Sequence, residues 1–242
     1  MTHGPWEEAD RDMAWIYQDR AEAGRDLAER LRPLARPRPL VLALPRGGVP
    51  VGAEIARALE ADLDLLFVRK IGAPGQEEYG IGAVVDGVRP HVVVDWPRAR
   101  AAGADAAYVD AIVAEQLREI TRQRREYLHG RPPLPAGGRV VIVVDDGIAT
   151  GASMKAALEA VRQGTLGGRP ARLVLAVPVA PPDSLTELAP ECDQIVCPHR
   201  PDLFMAVGAH YRVFDQVGDD AVRDALDQAG RRNTGAGRAG PA

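Results

Sequence analysis

The chain has 242 residues, 46% hydrophobic and 26% charged, which is enough for one ample core or a core domain with a small appendage. A formal net charge of -4, with the basic residues scattered along the chain, gives no electrostatic reason to bind nucleic acid. No apolar run approaches the roughly 18 residues of a membrane-spanning helix, the N-terminus lacks a basic region followed by an apolar one, and Cys192 and Cys197 match neither a zinc site nor a secreted disulfide framework; a soluble cytoplasmic protein with two buried thiols is expected.

Residues 1–14 show no period and are expected to form a loose arm. Over residues 20–31, Ala21, Leu27, Ala28 and Leu31 fall on one helical stripe. A proline-spaced link over 32–39 feeds an apolar strand at 40–44, broken by Pro45-Arg46-Gly47-Gly48, and Pro50 suits the first turn of a helix running to about residue 61. Residues 63–70 read as a second strand with Arg69 and Lys70 at its carboxyl end. Residues 71–82 read as a Gly-rich acidic loop, whose length marks it as functional or mobile. Asp86-Gly87, between apolar runs at 83–85 and 92–94, reads as a hairpin turn with glycine supplying a positive φ.

A helical pattern spans residues 104–129, with Tyr108, Ile112, Leu117, Ile120 and Tyr127 as its apolar candidates and residues 118–125 as a solvated basic face. A strand at 139–144, a helix at 152–162, a strand at 172–177 and short segments at 183–188 and 194–197 follow. This alternation predicts an α/β fold: a mostly parallel twisted sheet flanked by helices, with the hairpin as an antiparallel insertion. Residues 198–217 lack a clean period but concentrate Phe204, Tyr211 and Phe214. Residues 219–229 predict a terminal helix and 230–242 a disordered tail, leaving 15–229 as a single domain.

The stretch from Val141 to Ser153 runs four apolar residues into two carboxylates and a small, hydroxyl-bearing turn. A continuous β-branched run is the mark of a parallel strand covered on both faces, and ligands of open α/β sheets bind beyond such strand ends. In a strand-turn-helix, successive backbone N–H groups form a donor site for phosphate. Ala149, Thr150, Gly151, Ala152 and Ser153 suit it, because they are small and Thr150 and Ser153 add hydroxyls. The nucleoside-triphosphate P-loop pattern is absent. Asp145 and Asp146 can accept hydrogen bonds from a vicinal diol or hold a hydrated Mg2+; equally, they can cap the turn and the following helix.

Residues 141–153 resemble the 5-phosphoribosyl 1-diphosphate (PRPP) signature of the type I phosphoribosyltransferases. The resemblance implies that Asp145 and Asp146 face the ribose 2- and 3-hydroxyls, and hold through water the Mg2+ that is bound with PRPP, while Ala149 to Ser153 cradle the 5-phosphate. Leu44-Pro45-Arg46-Gly47-Gly48 resembles the family's short diphosphate loop, often built around a non-proline cis peptide; taken alone, it is an ordinary Gly-Gly turn. Arg69 and Lys70, with the loop after them, resemble the flexible catalytic loop that closes over PRPP; taken alone, they are an exposed strand end. Glu77, Glu78 and Tyr79 lie in that loop without an assigned role.

By the same resemblance the chain is an enzyme that moves 5-phosphoribose from PRPP to a small acceptor, a nucleobase or a specialised-metabolite amine or hydroxyl. Arg46 and Lys70 are its catalytic residues, and Arg46, Gly47, Gly48, Arg69 and Lys70 bind diphosphate. A homodimer without nucleic-acid or membrane partners is implied. Family members for 6-oxopurines usually carry an acid three residues after the acidic pair. Here that residue is Ala149, which argues against a hypoxanthine or guanine enzyme and leaves the general base unassigned. The variable hood that forms the acceptor pocket should combine residues 15–36 and 198–217. In it Phe204, Tyr211 and Phe214 either stack on a planar acceptor or form the hood's own core, and His199 and His210 are either proton carriers or structural. Residues 204–211 also resemble an uncharacterised bacterial group of phosphoribosyltransferase-domain proteins. The alternative from a different class is a non-catalytic regulator that senses PRPP or a nucleotide.

Overall fold

Short apolar strands need cover on both faces, and the chain supplies it by alternating strands with helices. The computed structural model describes residues 15–236. In chain order the elements are α1 (Arg20–Leu31), β1 (Leu40–Ala43), α2 (Gly48–Leu59), β2 (Asp62–Leu65), β3 (Val68–Ala73), β4 (Gln76–Val85), β5 (His91–Val94) and α3 (Trp96–Ala101). They continue with α4 (Ala106–Leu128), β6 (Val140–Val144), α5 (Ala152–Gln163), β7 (Arg172–Ala176), α6 (Pro182–Leu188), β8 (Gln194–Val196) and α7 (Asp219–Ala236). None of these helices is long and apolar enough to cross a membrane.

Five strands form a parallel sheet in the order β2-β1-β6-β7-β8. Along β6, Ile142 and Val144 pack into a core with α1, α2 and α7, while Val141 and Val143 pack into a second core against α5. Each such side chain, fully buried, contributes about 1.5–3 kcal/mol. The order matters for function. From β1 the chain winds outward to β2, and from β6 it winds the other way to β7 and β8, so the direction reverses between β1 and β6. Loops leaving adjacent strands at such a switch diverge and open a crevice at their carboxyl ends. The register Ala43↔Val144 ends both strands at the same level.

The second sheet, β3-β4-β5, is antiparallel and corrects three expectations. The strand expected over 63–70 is two strands: Asp62–Leu65 pairs with β1, and from Val68 the chain pairs with β4 instead. Residues 71–82, expected as a loop, form most of the β3–β4 hairpin, turning at Pro74-Gly75, where Gly75 has φ +68°. The glycines that suggested a loop mark close backbone approach. A Cβ on Gly82 would lie 2.3 Å from the Val93 carbonyl oxygen. The alternation is present in Ile71, Ala73, Ile81 and Ala83, all buried. The β4–β5 hairpin is where Asp86-Gly87 placed it, but Gly87 does not take a positive φ; it is crowded instead by Thr165, whose carbonyl oxygen a Cβ there would approach to 2.7 Å.

Helix α4 matches the expected pattern, with Ile120 and Tyr127 buried, and is preceded by the unanticipated α3, which Asp95 caps by accepting from the Arg98 N–H. Its basic face is not wholly solvated: Arg124 is buried in an ion pair with Asp86, its Nε 3.0 Å from Oδ2, and lies over Phe67. That pair fastens the second sheet to α4. The terminal helix reaches Ala236, so the first part of the expected disordered tail is helical; a helix anchored by Val222 and Leu226 extends by one hydrogen bond for each residue added. The N-terminal arm over 1–14 and the rest of the tail lie outside the described residues.

Candidate active site

The carboxyl ends of β1 and β6 bring the two expected ligand loops together. After Val144, Asp145 Oδ1 accepts from the Asp146 N–H at 2.9 Å. Burial, and then the neighbouring Asp146, push the Asp145 carboxyl well above the usual carboxylate range; burial also raises Asp146, opposed by Arg20. From β1, the Pro45–Arg46 peptide is cis and leads into Gly47 and Gly48. A Cβ on Gly47 would sit 2.2 Å from Asp146 Oδ2, and one on Gly48 2.7 Å from the Val144 carbonyl oxygen. Only hydrogen fits at either position, so the glycines lay the Arg46 loop directly against the two acids.

On the other side of the acids the chain turns through residues 147–151 into α5. Gly151, at the N-cap with φ +75°, offers no side-chain cap, so the N–H groups of the first turn are left without one. The loop is fastened from behind: the Ile148 N–H donates to the Val179 carbonyl at 3.0 Å, and Ser184 Oγ donates to the Ala149 carbonyl at 2.7 Å. Ala149, Thr150, Ala152 and Ser153 are exposed, and neither the Thr150 nor the Ser153 hydroxyl has a partner among the described residues. Uncapped donors, hydroxyls without a partner among the described residues and the positive end of a helix are the features that an anion site uses.

The basic residues are placed differently. Arg46 Nη1 lies 3.4 Å from Asp219 Oδ1 at the start of α7, and Asp219 also accepts from the Tyr127 hydroxyl at 2.6 Å. That hydroxyl, then Arg46, hold the Asp219 carboxyl below its usual range. Adjacent strand residues face opposite ways, so Arg69 and Lys70 part company. Arg69 Nε donates to Gln116 Oε1 of α4 at 3.0 Å, whereas Lys70 Nζ crosses the hairpin to Glu78 Oε2 at 2.8 Å. Neither forms a hydrogen bond or ion pair with Arg46, Asp145 or Asp146.

The two hood segments meet in a parallel bridge, Tyr17↔Tyr211. The Tyr211 hydroxyl donates to the Asp146 carbonyl at 2.6 Å, and Val207 packs so closely on Gly147 that a Cβ there would lie 2.6 Å from its Cγ1. Tyr211 is 2% exposed, its ring 5.8 Å from that of Tyr17 and 5.1 Å from that of Phe214, so it belongs to the hood's core. Phe204 is half-buried, with His210 5.2 Å away; His199 meets the edge of Tyr17, and burial lowers both histidines.

One site residue has no counterpart in the sequence reading. Arg20 Nε donates to Asp146 Oδ2 at 2.7 Å, with only 11% of its side chain and 13% of that of Asp146 exposed. A cation in the first turn of α1 opposes the helix dipole, and that misplaced charge was the one available signal. Among the described residues no group of three or more His, Cys, Asp or Glu side chains is arranged to hold a metal ion.

Residues 15–196 match the family model of the phosphoribosyl transferase domain. Two proteins of Mycobacterium tuberculosis, from strains H37Rv and CDC 1551 and provisionally named phosphoribosyl transferases, are each 45% identical over 89% of this chain. The match covers 47% of each of them, so the chain spans about half the length of these curated relatives. The crystal structure of TT1426 from Thermus thermophilus is 42% identical and superposes with a TM-score of 0.74, covering 88% of this chain and 98% of that one. A family match over most of the chain, with a 45% identical relative covering 89% of it, makes this chain a member of the phosphoribosyl transferase domain family.

Proposed function

We propose that the chain transfers 5-phosphoribose from PRPP to a small acceptor, a nucleobase or a specialised-metabolite amine or hydroxyl, and releases diphosphate. The observation that carries this reading is the close packing by which Gly47 and Gly48 press the Arg46 loop onto Asp145 and Asp146, beside the uncapped start of α5. In this reading the α5 turn binds the 5-phosphate, the acid pair accepts from the ribose hydroxyls, and Arg46 binds diphosphate, joined by Lys70 when the hairpin moves in. The C1–oxygen bond to diphosphate breaks, the acceptor forms a bond to C1, and the acceptor loses its proton. Arg46 and Lys70 would favour the step once they face the diphosphate, where negative charge develops.

Two adjacent carboxylates, one of them engaged by Arg20, are too few to cage a cation but suit a hydrated Mg2+ that arrives with PRPP, the usual mode for this ion. Bound there, Mg2+ supplies charge neutralisation at the leaving diphosphate. Ala149 carries no group able to take a proton, which keeps usual 6-oxopurine chemistry out of the proposal. Incubation of the protein with labelled PRPP, Mg2+ and a panel of nucleobases, amines and hydroxyl acceptors tests it: acceptor-dependent diphosphate release is expected. Tight PRPP binding without release across the panel would replace it with a sensing role.

A further inference from the structure

The hydrogen bond from the hood to Asp146 asks what a carboxylate gains from a partner 126 positions away. Arg20 is held in three ways. Its Nε donates to Asp146 Oδ2 at 2.7 Å, its Nη1 donates to the Asp215 carbonyl at 2.8 Å, and its guanidinium carbon lies 3.8 Å from the centre of the Phe214 ring. Two hydrogen bonds and a stacked face fix the plane of the guanidinium, so it cannot follow Asp146 if that side chain turns. Asp146 is constrained from the opposite side as well, since its carboxylate lies against the Cα of Gly47, where no side chain fits.

A carboxylate has two oxygens that each accept, and here they are in different situations. Oδ2 is taken by Arg20, while Oδ1 accepts no hydrogen bond from another described residue. We infer that Arg20 is a positioning residue: it pins one oxygen of Asp146 so that the other is presented, already oriented, to a ribose hydroxyl. This rests on the PRPP reading of the crevice and adds to it a hood residue that acts through the ribose acid. Because Phe214 and Asp215 belong to the second hood segment, the same guanidinium ties the ribose subsite to the part of the chain facing the acceptor. Substrate orientation would then be built from residues 195 positions apart in the sequence.

The test compares ribose 5-phosphate with its 2-deoxy and 3-deoxy counterparts, titrated calorimetrically into wild-type protein, Arg20→Gln and Arg20→Lys. A hydrogen bond to a charged group corresponds to roughly tenfold or more in affinity, so Arg20→Gln should weaken ribose 5-phosphate by about that factor. The loss should shrink or vanish for whichever deoxy sugar lacks the hydroxyl that Asp146 accepts from. Arg20→Lys keeps the charge but not the planar clamp, and should show the same selective pattern at a smaller size. It also serves if Arg20→Gln does not fold. Equal weakening of all three sugars in the folded variant would reduce Arg20 to a structural brace and overturn the inference. Absence of ribose 5-phosphate and PRPP binding by the wild-type protein would instead overturn the donor reading itself.

Discussion

The turn at the end of β6 and the β3–β4 hairpin are assigned to opposite ends of the same ligand, yet they are built in different ways. The turn grows out of the central parallel sheet and is fixed by its neighbours: Gly47 against Asp146, Val207 against Gly147, Ser184 on the Ala149 carbonyl. The hairpin belongs to a separate sheet, joined to α4 through Asp86–Arg124 and the hydrogen bond from the Tyr108 hydroxyl to the Gly72 carbonyl at 3.0 Å. Its Lys70 is engaged with Glu78, which is almost fully exposed. In the proposed function the difference separates binding from commitment: the turn would meet phosphate and ribose as it stands, whereas Lys70 would exchange Glu78 for diphosphate, and an exposed pair of that kind is easily exchanged.

The strongest test of the preformed side is Asp145→Asn with Asp146→Asn, which turns diol acceptors into partial donors; PRPP affinity should fall about 100-fold by calorimetry, and unchanged affinity would remove the acids from the ribose subsite. Gly47→Ala comes next. Its Cβ would displace the Asp146 carboxylate, and overpacking of this kind costs about 2 kcal/mol, or roughly thirtyfold in PRPP affinity if it falls on the site. Arg46→Ala and Lys70→Ala should each lower turnover about tenfold while ribose 5-phosphate binding stays unchanged. If Lys70→Ala turns over normally in steady-state assays, the hairpin is not part of the chemistry and the contrast with the β6 turn becomes absolute. Tyr211→Phe is expected to have the smallest effect, about 1 kcal/mol of stability read from thermal unfolding, because it removes one hydrogen bond to the Asp146 carbonyl while the ring stays packed.

The parallel sheet and the β6 turn could be read from sequence because their determinants are contiguous. Four β-branched residues, two acids, a glycine able to take a positive φ and a helix start fall within thirteen positions, and each has a local physical meaning. The hairpin escaped because Gly72, Gly80 and Gly82 serve partners that are not adjacent in sequence; the Val93 carbonyl that demands a glycine at 82 comes from the next strand. The hood escaped for the same reason carried further. Nothing near Arg20 announces Asp146, and nothing near Tyr211 tells a core ring from a stacking platform until Tyr17 is found beside it.

The hydrogen bond from Arg20 to the Asp215 carbonyl closes a loop of 195 positions. It spans more of the sequence than any pairing in the parallel sheet, where β1 and β6 pair across about 100 positions. Contacts of such long separation form slowly, because the chain entropy lost in closing them must be met before they stabilise anything. A refolding chain would therefore pass through a stage with the parallel sheet paired and Asp146 not yet held by Arg20. If the proposed function holds, selectivity for the ribose hydroxyls should be among the last properties regained during refolding, later than the secondary structure of the sheet.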